Sequence, residues 1–140
     1  MKLYKAGTFE VNYNNAHSIL TLKCNTDLNV VEFREGVLAA LRYAEAFVVK
    51  QWVFDFSQIG KLNEKEQVWL GNYLFPRLMM SLGSENYVAM VLSEECYREL
   101  LNDSGKDGLH SYNSFILLNT FCVATDAENW LVTQAIHKAS

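Results

Sequence analysis

The chain has 140 residues, enough for one domain, 1–140, with a core of its own and no need of disulfide staples. Half of its residues are hydrophobic and 13% are aromatic, a composition that excludes a disordered chain. The formal net charge is -4 and the basic residues are scattered, so no cationic stripe is present to neutralise a phosphate backbone, and nucleic acid is not expected as a partner.

Residues Met1 to Phe9 lack the apolar core of a signal peptide, and no apolar run nears the roughly 20 residues that span a bilayer. Cys24, Cys96 and Cys122 are odd in number and far apart in apolar segments. They read as reduced core thiols of a cytoplasmic protein.

Phe9, Val11 and Tyr13 alternate with Thr8, Glu10 and Asn12, the period-two pattern of a strand with one wet face. Asn14-Asn15 supplies turn chemistry, and Ile19 to Cys24 forms the second strand of a hairpin. Asn29 with Glu32 then has the form of a capping box, and Phe33, Val37, Ala40, Leu41, Ala44 and Val48 recur at helical spacing. Trp52 to Phe56 is apolar on both faces until Asp55, as a covered strand of a parallel sheet should be.

Asn63 and Glu66 repeat the capping pattern and open a helix that is apolar nearly all round. At about 100° per residue, Trp69, Tyr73, Pro76 and Met80 fall on one stripe, and Val68, Phe75 and Met79 on another. One stripe should pack on the sheet and the other on a further cover. Pro76 removes a backbone hydrogen bond and should kink the helix near Tyr73.

After Gly83, Tyr87 to Leu92 reads as a central strand, and Ser93 caps a short helix ending by Asn102. Asn102 to Ser114 shows no periodicity, too long a connection for an ordinary α/β unit and therefore a candidate contact loop. Phe115 to Phe121 makes the last strand, and Thr125 with Glu128 reads as a third capping box before a closing helix.

The expected class is α/β: an N-terminal hairpin, three helix-strand units and a C-terminal helix around a mostly parallel five-stranded sheet. Strands added one beside the last place every crossover helix on one face. The other face is then partly open, with Glu10, Asn12, Thr21 and Lys23 suited to it.

This pattern resembles the STAS or SpoIIAA-like fold of bacterial anti-sigma-factor antagonists and the related STAS/SEC14-like domains. The likeness rests on Val53-Phe54-Asp55-Phe56-Ser57, the helix after it, and the topology of nearly the whole chain. It is closest to uncharacterised bacterial proteins of this fold that share Pro76-Arg77, Phe121, Ala127 and Trp130-Leu131. Signalling members carry an Asp-Ser-Ser-Gly motif whose serine a partner kinase phosphorylates. Lys61-Leu62-Asn63-Glu64 stands there instead, and no Ser or Thr occurs from Gln58 to Met80, so that switch does not carry over.

The carboxyl edge of the sheet should gather Asp55, Ser57, Asn63, Ser93 and Glu94, with His110 and Tyr112 in the loop nearby, as contacts for a ligand or partner. The competing reading has Asp55 accepting from turn amides and Ser57 starting the turn. Glu64, Glu66, Glu94 and Glu95 would repel a phosphate from the helix starts. Cys96 with His110 as a base makes a poor nucleophile beside two glutamates, and His17, His110 and His137 lack ligand spacing, so neither catalysis nor a metal or cofactor is expected.

Val68, Phe75 and Met79 are either sandwiched in the core or line a homodimer seam or apolar groove. The leading expectation is a non-enzymatic regulatory module that binds a protein partner or a second copy of itself. The alternative is a carrier or sensor holding an apolar small molecule between the second helix and the sheet, as the SEC14-like resemblance implies. A hydrolase or transferase using Asp55 and Ser57 comes third, since no base or oxyanion device stands beside them.

Overall fold

A computed structural model describes the backbone of residues 1–105, 110–112 and 115–139, with side chains over 1–105 and 115–135. The chain opens with an edge strand absent from the expectation, β1 (Lys2–Lys5), paired antiparallel to β2 (Phe9–Asn14). The expected hairpin follows: β2 pairs with β3 (Ile19–Cys24) across a turn where Asn14 Oδ1 accepts from the Ala16 N–H at 2.9 Å. Next come α1 (Val30–Phe47), β4 (Gln51–Asp55), α2 (Glu64–Trp69), a π-helical turn (Leu70–Leu74) and α3 (Phe75–Leu82). The chain closes with β5 (Asn86–Val91), α4 (Glu94–Ser104), β6 (His110–Tyr112), β7 (Ile116–Phe121) and α5 (Ala124–Ala139).

The strands among the described residues join one seven-stranded sheet in the order β1-β2-β3-β4-β5-β7-β6, where five strands were expected. Strands β3, β4, β5 and β7 run parallel in the middle, and β1, β2 and β6 add antiparallel pairs at the two edges. Both surplus strands are short edges. Strand β1 has only Leu3 and Tyr4 between lysines, and β6 lies inside the aperiodic stretch after α4, so neither shows a hydrophobic alternation.

Period two divides the sheet. Trp52 and Phe54 face one side with Leu20, Leu22 and Val88, whereas Val53 faces the other with Ala89 and Val91. Helices α1, α2, α3 and α4 cover the first face, as right-handed crossovers between neighbouring strands require. Helix α5 lies on the second face, where Ala127, Leu131 and Trp130 pack against β4, β5 and β7. Glu10, Asn12, Thr21 and Lys23 stand half-buried on β2 and β3, off the strands that α5 covers. The first face holds the larger core, in which the Trp52 and Phe54 rings stack at 5.9 Å and Phe54 stacks on Phe56 at 5.9 Å.

The long helix departs most from its expected pattern. Its buried stripe is Glu66, Leu70, Leu74 and Leu78, and Tyr73 and Met80 are exposed. Residues four apart advance by about 40° around a regular α-helix, so such a stripe would wander off the sheet within three steps. The π turn, closed by the Phe75 N–H bonding to Leu70 O, winds more slowly and holds the stripe in line. It also meets the constraint of Pro76, which has no N–H for Asn72 O and crowds that carbonyl. The expected break near Tyr73 is therefore a widened turn.

The last helix starts one residue before the expected cap. Ala124 is already helical, and the Val123 carbonyl accepts from Asp126 and Ala127, so Thr125 lies inside the first turn and caps nothing. Seating Ala127 and Leu131 on the sheet sets that earlier start. Of the three thiols, Cys24 is buried in the core as expected, whereas Cys96 and Cys122 are only half-buried.

Candidate functional site

A tight turn after β4 shapes the site. Asp55 Oδ1 accepts from the Ser57 N–H at 3.0 Å and from the Ser57 hydroxyl at 2.6 Å, while the Phe56 N–H bonds to Val91 O at 2.8 Å. The chain then reaches Gly60, whose φ of +98° suits glycine and whose carbonyl accepts from the Ser93 N–H at 2.9 Å. A Cβ at Gly60 would sit 3.0 Å from Cys96 Sγ, so the first turn of α4 rests directly on this loop. Beyond that turn the helix stands off the sheet, and α4 has no fully buried residue.

The gap beneath α4 is a cleft of about 440 Å³. Its floor is the helix-covered face of the sheet: Phe56, Met90, Leu92, Leu118 and Thr120. Leu62, Leu70 and Phe75 make one wall, and Cys96 and Leu100 of α4 make the other. Lys61, Gln67, Glu99 and Asp103 are exposed and ring the mouth. Gln67 Nε2 is already committed to Leu62 O at 2.6 Å, which steadies the loop before α2.

The π turn gives this wall its shape, because Leu70 and Phe75, the residues it joins, both line the cleft. The wall is tied to α1 by a buried carboxylate. Glu66 is fully buried and takes a two-pronged pair from Arg34, Nε to Oε2 at 2.9 Å and Nη2 to Oε1 at 3.0 Å. The guanidinium also lies 5.0 Å over the Trp69 ring. Its hydrogen bonds to Glu66 raise the Arg34 pKa. Neither Arg34 nor Glu66 faces the cleft; they fix the helix that does.

The residues expected at the carboxyl edge are placed as follows. Asp55 and Ser57 bond each other. Asn63 caps α2 by accepting from the Glu66 N–H at 2.9 Å, and Ser93 caps α4 by accepting from the Cys96 N–H at 3.2 Å. Alternation along β4 puts Asp55 and Phe56 on opposite faces, and only Phe56 lines the cleft. Val68 is exposed, Phe75 lines the cleft, and Met79 is half-buried against the main core, so the three do not share one surface. The side chains of His110, Tyr112 and His137 lie outside the described residues, as does the backbone of 106–109 and 113–114. His17 sits exposed in the hairpin turn.

Sequence reasoning did not single out Met90, Leu100, Leu118 or Thr120. A half-apolar α4 with acids at every turn was the available signal: a helix too polar to be sealed against a sheet. Among the described residues, no three His, Cys, Asp or Glu side chains converge as metal ligands would. No helix among them is long and apolar enough to cross a membrane. No protein-family model matches the chain, and neither a curated protein nor a solved structure matches it.

Proposed function

We propose that the chain is a non-enzymatic binding module of STAS-like fold, acting in the cytoplasm, that carries or senses a small apolar molecule in the cleft beneath α4. The observation that carries this reading is the cleft itself. Its volume of about 440 Å³ lies within the roughly 300–1,000 Å³ of small-molecule sites. Its floor is apolar but for Thr120, its charged groups sit at the mouth, and one wall is a helix that can yield because it is not sealed into the core. The STAS-like reading is supported by the leading hairpin followed by crossovers whose helices share one face.

Native mass spectrometry of the freshly purified chain, followed by thermal melts with hydrophobic ligands, tests the reading. A ligand at about a hundred times its Kd adds roughly 2.7 kcal/mol, which is on the order of 10 °C for a domain of this size. Retained mass or such a shift, lost in Leu100→Trp with the fold intact, is the expected result. Bare protein with no shift from any hydrophobic probe would remove ligand carriage.

The second reading, contact with a protein partner or a second copy, is favoured by exposed apolar side chains on the outer helices: Val31, Phe47, Val48 and Met80. A dimer in the same spectrum that dissociates in Phe47→Ser would support it, and a monomer at all concentrations would remove self-association.

A further inference from the structure

The cleft is charged only at its mouth, and the charge is uneven. Glu99 and Asp103 stand one turn apart on the same side of α4, with Leu100 and Cys96 running into the cleft beside them. Among the described residues neither carboxylate has an ion pair, since the one arginine of α4, Arg98, is paired with Glu94. The last turn of α4 has no basic residue, so the negative pole of the helix adds to Asp103. Among the described residues, Lys61 is the single cation lining the cleft.

Resting on the ligand reading above, we propose that the cleft selects an amphipathic cation. Its apolar body lies on Phe56, Met90 and Leu118, and its protonated amine sits between Glu99 and Asp103. An anionic amphiphile of the same length meets two carboxylates and a helix C-terminus at the mouth and is disfavoured. A neutral one gains the floor but not the rim.

The test is titration calorimetry of the intact chain with decylamine, decanol and decanoate, each below its aggregation threshold at neutral pH. Decylamine should bind about five-fold more tightly than decanol, the effect of two half-solvated ion pairs, and decanoate weakest. In Glu99→Gln with Asp103→Asn the amine's advantage should vanish while decanol binding holds, and added salt should erode it in the parent chain. Equal binding of the three, or a preference for decanoate, would overturn the charge selection and leave the cleft as a site. No binding by any of them, or binding that persists in Leu100→Trp, would overturn both.

Discussion

Val48 ends α1 in the left-handed region at φ 55°, with its side chain exposed. A β-branched residue is strained there, and glycine is the usual occupant of a helix C-terminus of this kind. Val48→Gly should raise stability by about 1 kcal/mol in urea unfolding. Glu32 shows a second residue-scale effect. Its carboxylate accepts from the Thr8 hydroxyl at 2.6 Å and the Thr8 N–H at 2.8 Å, which hold its pKa below the ordinary glutamate range. A lowered folded-state pKa stabilises the protein above the unfolded value and is lost as pH falls through the folded one. The parent chain should therefore lose stability below about pH 4.5 more steeply than Thr8→Ala, a difference visible in melts across pH 3 to 6. Both helix caps were legible in the sequence, since Asn29 and Asn63 accept from Glu32 and Glu66 N–H as the motif requires. What the motif could not convey is that each glutamate side chain leaves its own cap, one for Thr8 and one for Arg34, because tertiary partners compete with the local one.

At the scale of elements, α1 meets the sheet through Gly36, where a Cβ would come within 2.5 Å of the Phe9 ring. Gly36→Ala improves helix propensity by about 1 kcal/mol yet forces a core ring to move, so a net loss of roughly 1–3 kcal/mol is expected in chemical denaturation. The Arg34–Glu66 pair joins α1 to α2, and its two halves are not equivalent. Arg34→Ala strands a fully buried carboxylate, whereas in Glu66→Ala the half-exposed arginine can turn to water. Arg34→Ala should lower the melting temperature more than Glu66→Ala, and the double variant should be less damaged than Arg34→Ala alone. Strands β2, β3, β4, β5 and β7 and the helices between them were legible because each has a long apolar period. The short edges β1 and β6 were not, and neither was the Leu70, Leu74, Leu78 stripe, because a fixed advance per residue cannot anticipate a π turn.

Across the whole molecule, α1 buries six residues while α4 buries none, so the fold is tight at one end of the sheet and open at the other. Hydrogen exchange should find α4 amides exchanging well before those of α1, and a cleft ligand should slow α4 selectively. Uniform protection of the two helices would contradict that picture. Sequence order made the sheet edge legible as the place to look, and Phe75 was named for an apolar groove. The cleft itself was not, because it depends on Met90, Leu118 and Thr120 meeting Leu100 across strands and helices far apart in the chain. Asp55 and Ser57 drew attention as polar residues after an apolar run, and in the fold Asp55 Oδ1 accepts both the N–H and the hydroxyl of Ser57 to hold the turn.

The widened turn at Leu70–Leu74 makes chain length there a matter of phase. It behaves like an insertion of one residue into an otherwise regular helix. A homologous chain shortened by one residue between Gly71 and Tyr73 would close this turn into a regular α-helix, and its buried leucines, then four, three and four apart from Glu66, would still fall within about 60° of one another. Leu78 would keep to the sheet and Phe75 to the cleft, with only the exposed bulge between them gone. Related chains that keep this cleft can therefore differ in length by one residue at exposed Gly71 and Asn72, the longer ones carrying the π turn and the shorter ones a regular helix.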